Sequence, residues 1–166
     1  ACNQGIPAPT TLCTMACTVP PSADMLSWWT GNGNGLDMKG DNDLSGTITY
    51  APGVVGQAFS FSSGAWYSFG NSSSANFGNL NGYTFDTWLK PTTFNGYGEI
   101  ATIYETDGSV MIKLYYYDGY LYGYLYGPTG DTNIWAGQMP MNEWSHLAMT
   151  YDGTSNEMKV YVNGEL

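Results

Sequence analysis

A chain of 166 residues is the size of one domain and can bury an ordinary core. Its 14 acidic residues face four lysines and no arginine. The net charge of −10 excludes nucleic acid and an anionic membrane surface as direct partners, and leaves cations, neutral glycans and protein surfaces open. One histidine in the whole chain rules out a His-based metal or catalytic cluster.

Residues 1–22 are rich in Thr, Pro and Cys and read as an extended amino-terminal extension, either a donor strand or a tether. Cys2, Cys13 and Cys17 are the disulfide candidates. One bridge among three leaves a thiol that can pair with another molecule. A small residue before Cys2 resembles a lipoprotein cleavage site, but Ala1 stands ahead of that cysteine. The chain starts without Met, which implies a removed leader, and the expected localisation is secreted or at the extracellular surface. No apolar run approaches the ~18 residues of a membrane span.

From residue 23 onward, glycine-marked turns recur and helical periodicity is missing, so the expectation is all-β. Strands are predicted over 24–29, 47–50, 57–62, 65–70, 83–90, 98–106, 110–117, 120–127, 133–138, 144–151 and 157–162. Between the first two lies an acidic glycine loop, residues 31–46. Asp41, Asp43, Ser45 and Gly46 match the start of a calcium-binding loop, yet the twelfth position is Pro52 where a bidentate Glu is required. Asp37, Asp41 and Asp43 are therefore the candidate calcium ligands, and an ordinary turn is the competing reading. Asn71-Ser72-Ser73 is a glycosylation triplet in a Ser/Asn/Gly loop.

Glu99 and Glu105 share a predicted strand and a face, roughly 20 Å apart at strand rise. That exceeds the about 5–10 Å of a two-carboxylate glycosidase pair. No nucleophile elbow, phosphate loop or dinucleotide fingerprint occurs, and no catalytic residue is assigned.

Residues 111–128 carry the clearest candidate site. Asp118-Gly119 between alternating strands is a strong hairpin signal. It pairs Tyr117 with Tyr120, Tyr115 with Tyr122 and Lys113 with Tyr124. Ile112, Leu114, Tyr116, Leu121 and Leu125 then share the core face. Tyr115, Tyr117, Tyr120, Tyr122, Tyr124 and Tyr126 share the other, a broad amphipathic patch for glycan stacking or protein packing. High strand propensity alone is the bland explanation.

The chain ends in another hairpin, 144–162. Ser145, Leu147, Met149 and Tyr151 share one face; Met158, Val160 and Val162 share the partner's. Asn163-Gly164 signals a further turn with only two residues after it, so a closing strand is expected from elsewhere.

Trp144 to Gly164, with W-x-H-L-A-x-T-Y-D-G and V-Y-V-N-G, resembles the laminin-G-like modules of the concanavalin A-like jelly-roll superfamily. Residues 26–34, 52–61 and 83–89 resemble earlier motifs of the same modules, in the right order. The resemblance spans residues 24–166 and implies an antiparallel two-sheet β-sandwich over 23–166. It also implies a binding role and raises the expectation of calcium. The family's acidic G-x-D-D-Y-V segment is replaced here by Gly64-Ala65-Trp66-Tyr67-Ser68-Phe69, which removes its ligands. The E-x-D-x-x-E strand of glucanase relatives has no counterpart, and His146 is expected to make a structural hydrogen bond. Two functions follow. One is a non-enzymatic cell-surface module for adhesion to, or recognition of, glycan or protein. The other is a self-assembling filament subunit whose extension completes the next subunit by strand exchange.

Overall fold

The computed structural model describes residues 23–39, 42–62, 64–69, 82–93, 96–104, 110–126 and 131–166. The extension with Cys2, Cys13 and Cys17, and the strand exchange built on it, lies outside them. So do Asp41, the Asn71 triplet and Glu105. The described residues are all-β, and no helix among them is long and apolar enough to cross a membrane. The chain forms two compact units, Ala1–Ala75 and Asn76–Leu166.

The first unit holds β1 (Leu44–Ser45), β2 (Thr49–Pro52), β3 (Gln57–Ser60) and β4 (Ser68–Phe69). β2 and β3 pair as an antiparallel hairpin, and β1 pairs with β4. The Tyr67 hydroxyl donates to the Ser60 carbonyl at 2.7 Å and accepts from the Thr49 amide at 3.1 Å, tying the hairpin to the approach of β4. The strand predicted over 24–29 does not form; Trp29 makes only an isolated bridge to Asp37. The cause is local: the Trp28 amide is taken by the Asp37 side chain rather than by a neighbouring strand.

The second unit is a two-sheet antiparallel sandwich. One sheet orders β11 (Glu157–Val162), β10 (Ser145–Asp152) and β5 (Gly82–Leu89). The other orders β6 (Tyr97–Tyr104), β7 (Val110–Tyr117), β8 (Tyr120–Leu125) and β9 (Thr132–Gln138). Period-two patterning decides which faces meet. Ile112, Leu114, Leu121 and Leu125 from one sheet pack with Leu147, Met149, Met158 and Val160 from the other, with Met139 beside them. Both hairpins form at their predicted positions. Asp118 (φ 48°) and Gly119 (φ 87°) make the β7–β8 turn, and Asn163 (φ 53°) and Gly164 (φ 84°) make the last one. Positive φ at both central positions is what Asp-Gly and Asn-Gly supply. The His146 backbone amide donates to Asn163 Oδ1 at 2.9 Å and its carbonyl accepts from the Asn163 amide at 2.8 Å, while its imidazole, expected to make a structural hydrogen bond, stands 3.6 Å from Asp86 Oδ1 and 5.4 Å from the Trp88 ring.

Gly123 lets the two sheets close. A Cβ there would lie 2.6 Å from Val160 Cγ2 and 3.4 Å from both Met149 Sδ and Met158 Cε. Val160 is β-branched and cannot swing aside freely. Gly123→Ala should therefore lower stability by about 1–3 kcal/mol, despite the better strand propensity of Ala, as read by denaturant midpoint. An unchanged or raised midpoint would show that the sheets part cheaply at this point.

Candidate functional site

The outer face of the four-stranded sheet is built in three cross-strand rows. Glu99, Tyr115, Tyr122 and Trp135 form one; Tyr97, Tyr117, Tyr120 and Gln138 the next; Thr102, Lys113, Tyr124 and Asn133 the third. The three pairs across β7 and β8 have the register predicted from the sequence. The hairpin tip is gripped from both sides. The Asp118 amide donates to the Gly96 carbonyl at 3.1 Å, and the Met139 amide donates to the Gly119 carbonyl at 3.1 Å.

Two bulges complete the face. Glu99 and Thr102 are three residues apart, a spacing that would put them on opposite faces of a regular strand. A register shift between Glu99 and Ala101 returns both to one side, where Thr102 Oγ1 donates to Glu99 Oε2 at 2.8 Å. A second shift, where β8 meets β9, sets Trp135 opposite Tyr122 and Gln138 opposite Tyr120.

The rings touch one another. Tyr97 and Tyr115 have centroids 5.4 Å apart. Tyr115 and Tyr122 stack at 5.2 Å with planes 14° apart. Tyr120 and Trp135 sit 6.2 Å apart. Between them opens a hollow of about 580 Å³, lined chiefly by Tyr97, Lys113, Tyr115, Tyr117, Tyr122 and Tyr124. Trp135 (62% exposed), Tyr117 (51%) and Tyr97 (49%) are the most solvent-exposed aromatic residues of the three rows. Tyr126 lies one residue beyond β8 and is also exposed.

Many of the polar groups on this face are paired. Lys113 Nζ lies 2.9 Å from Glu99 Oε1, donates to the Tyr97 hydroxyl at 2.8 Å, and stands 5.4 Å from the Tyr97 ring centroid. The Tyr97 hydroxyl donates to Glu99 Oε1 at 2.7 Å. Partial burial by itself would raise the Glu99 carboxyl, but hydrogen bonds from Lys113, Tyr97 and Thr102 outweigh it and hold the pKa below the usual range. Lys113 moves the opposite way: burial would lower it, and its bonds to Tyr97 and Glu99 raise it. Burial raises the Tyr97 phenol. On the far side, the Tyr115 hydroxyl sits 3.0 Å from Asn133 Nδ2 and 3.2 Å from Oδ1. The Tyr124 hydroxyl donates to Asp131 Oδ2 at 2.7 Å, and that bond raises the phenol's pKa.

Of the six tyrosines expected as a patch, the structure places Tyr115, Tyr117, Tyr120, Tyr122 and Tyr124 in the rows, with Tyr126 just past the strand end. Sequence reasoning missed Tyr97, Glu99, Asn133, Asp131 and Trp135 as members of the site. They come from strands that only the sheet order brings alongside. The alternation in Asn133–Trp135 was a usable signal; the bulge-shifted spacing of β6 was not.

Of the candidate calcium ligands, Asp37 and Asp43 are among the described residues and Asp41 lies outside them. Asp37 is buried, and its Oδ1 accepts from the Trp28 amide at 2.7 Å and the Lys39 amide at 3.0 Å. Asp43 Oδ1 accepts from the Asp37 amide at 2.8 Å. Asn42, not foreseen, is buried; its Nδ2 donates to Ser27 Oγ and its carbonyl accepts from the Trp29 indole, both at 2.7 Å. Among the described residues no three His, Cys, Asp or Glu side chains gather as a metal centre would need.

The family model of the concanavalin A-like lectin/glucanases superfamily matches residues 61–166. No curated protein and no solved structure matches the chain.

Proposed function

The chain belongs to the concanavalin A-like lectin/glucanases superfamily, whose β-sandwich modules commonly bind glycan or protein, and on that premise we propose a non-catalytic extracellular recognition module that docks a protein partner on the outer face of its four-stranded sheet. One observation carries this reading: a contiguous aromatic face, from Tyr97 across to Trp135, on a sheet whose other side is core. Tyr and Trp are the residues that protein interfaces favour, because each gives large contact area with little entropy to lose. Two features favour protein over sugar. The Tyr115 and Tyr122 rings turn their faces to each other, leaving less flat surface for a pyranose. The hydroxyls of Tyr97, Tyr115 and Tyr124 are already bonded to Glu99, Asn133 and Asp131. Glu99 suits a structural role and not proton donation, since Lys113 and Tyr97 keep it ionised.

The test is a binding measurement against extracellular protein and glycan arrays with Trp135→Ser/Tyr117→Ser, beside Trp88→Ser on the other sheet as a control. These side chains are exposed, so the fold should survive. Loss of protein binding by about tenfold or more in the double variant, with the control unaffected, supports the reading. Binding untouched by the double variant overturns it. Binding to sugars alone reassigns the ligand class.

A further inference from the structure

Among the described residues the face holds two tyrosine–carboxylate pairs, and one of them has a cation. Tyr97 and Glu99 share Lys113: the ammonium is 2.9 Å from the carboxylate, 2.8 Å from the phenol oxygen and 5.4 Å from the ring centroid. Across the sheet, Tyr124 and Asp131 make the same phenol-to-carboxylate bond at 2.7 Å. Lys113 is the register partner of Tyr124, yet its bonds go to the Tyr97 and Glu99 side. Among the described residues Asp131 has no ion-pair partner. Both Asp131 and the neighbouring Tyr126 are exposed.

We infer that Tyr124 and Asp131, with Tyr126 beside them, receive a cationic side chain from the partner, and that the partner presents a basic, arginine- or lysine-bearing protein segment. This rests on the reading above and names the chemistry of that partner. The molecule itself shows part of the mode, since among the described residues the ammonium on this face is held by a phenol oxygen and a carboxylate together. A guanidinium fits such a site well: its plane stacks on an aromatic ring and its fork meets a carboxylate. Charge points the same way. Lys113 cancels Glu99, Asp131 is left over, and the chain carries −10 in all, so a basic segment is drawn in at long range. An anionic polysaccharide meets no free cation among the described residues of this face.

The experiment follows tyrosine ring signals by NMR while hexa-arginine, hexaglutamate or a neutral hexasaccharide is added to the whole chain. Asp131→Asn is compared with Asp86→Asn on the three-stranded sheet. The expected result is that hexa-arginine moves the Tyr124 and Tyr126 signals, and that Asp131→Asn weakens this by about fivefold while Asp86→Asn does not. Hexaglutamate and the hexasaccharide should leave the rings unmoved. Equal weakening by both variants would mean diffuse attraction to an acidic protein and would overturn the site. Movement by the hexasaccharide alone would keep a ligand-binding face but overturn the basic partner. No movement by any probe, with array binding still sensitive to Trp135→Ser/Tyr117→Ser, would overturn this inference and leave the reading above standing.

Discussion

Leu114→Ala should remove about 2–5 kcal/mol of stability, among the largest effects expected of a truncation in the described core. Leu114 is fully buried and sits on β7 directly opposite Gly123. The truncation loses the transfer energy of its methyl and methylene groups and leaves a hole. Its position governs how well that hole can close. The cross-strand neighbour has no side chain to lean in, and Val160, which covers Gly123, is already in close contact with it. Collapse would have to come from other members of the core, such as Leu121, Leu147 and Met149, which are themselves buried. The value expected is therefore in the upper part of the range. Urea denaturation would read it as a lowered midpoint with an unchanged slope, and hydrogen exchange would report faster opening of the β7 and β8 amides. A loss below about 1 kcal/mol would mean that the sheets repack around the hole. Tyr115 flanks Leu114 on the same strand and points to the other face, so the aromatic face should fail with the core and not before it.

How much of this could be read from the chain alone depends on how local each feature is. The β7–β8 hairpin was legible in full, because one Asp-Gly turn and strict alternation fix its register without outside help. The closing hairpin was legible for the same reason. Trp135 and Tyr97 were not placed in the site, since membership depends on sheet order, and sheet order is a non-local property. Glu99 and Thr102 were illegible as a pair: their odd spacing says opposite faces until a bulge reverses it. The 24–29 segment misled in a different way. Alternating Leu26 and Trp28 suit a strand, but a single buried carboxylate nine residues on captures the Trp28 amide. Ser45 and Leu44, taken for part of an acidic loop, form a two-residue strand with β4, too short for any periodicity to show.

That captured amide is the basis of the second large effect. Asp37→Ala should destabilise the 27–44 region by about 2–4 kcal/mol, because it strands the Trp28 and Lys39 amides that Oδ1 now serves. Asp37→Asn keeps a carbonyl oxygen in the same place and should lose about half as much. Burial would raise the Asp37 carboxyl, but hydrogen bonds from the Trp28 and Lys39 amides, with help from Ser27 and the Asn42 amide, outweigh it and lower the pKa. Ser27 and Asn42 stand near enough to act on the charge, yet neither makes a bond to Oδ2 of good geometry, and that oxygen is buried without a partner. The sign of the pH effect follows. A carboxyl lowered in the folded state adds stability that is complete above its unfolded pKa of about 3.9 and is lost as pH falls through the lower folded value. Wild type should therefore lose protection of the Trp28 and Lys39 amides in that acid window, while Asp37→Asn, weaker at neutral pH, should show a flat response across it. Hydrogen exchange at these two amides checks both statements. If Asp37→Asn matched wild type in strength and in its acid response, the carboxylate would not be what holds the loop. The added strength of a charged acceptor is what distinguishes Asp from Asn here, and it is the reason a carboxylate can remain ionised at a buried position that offers it amide donors.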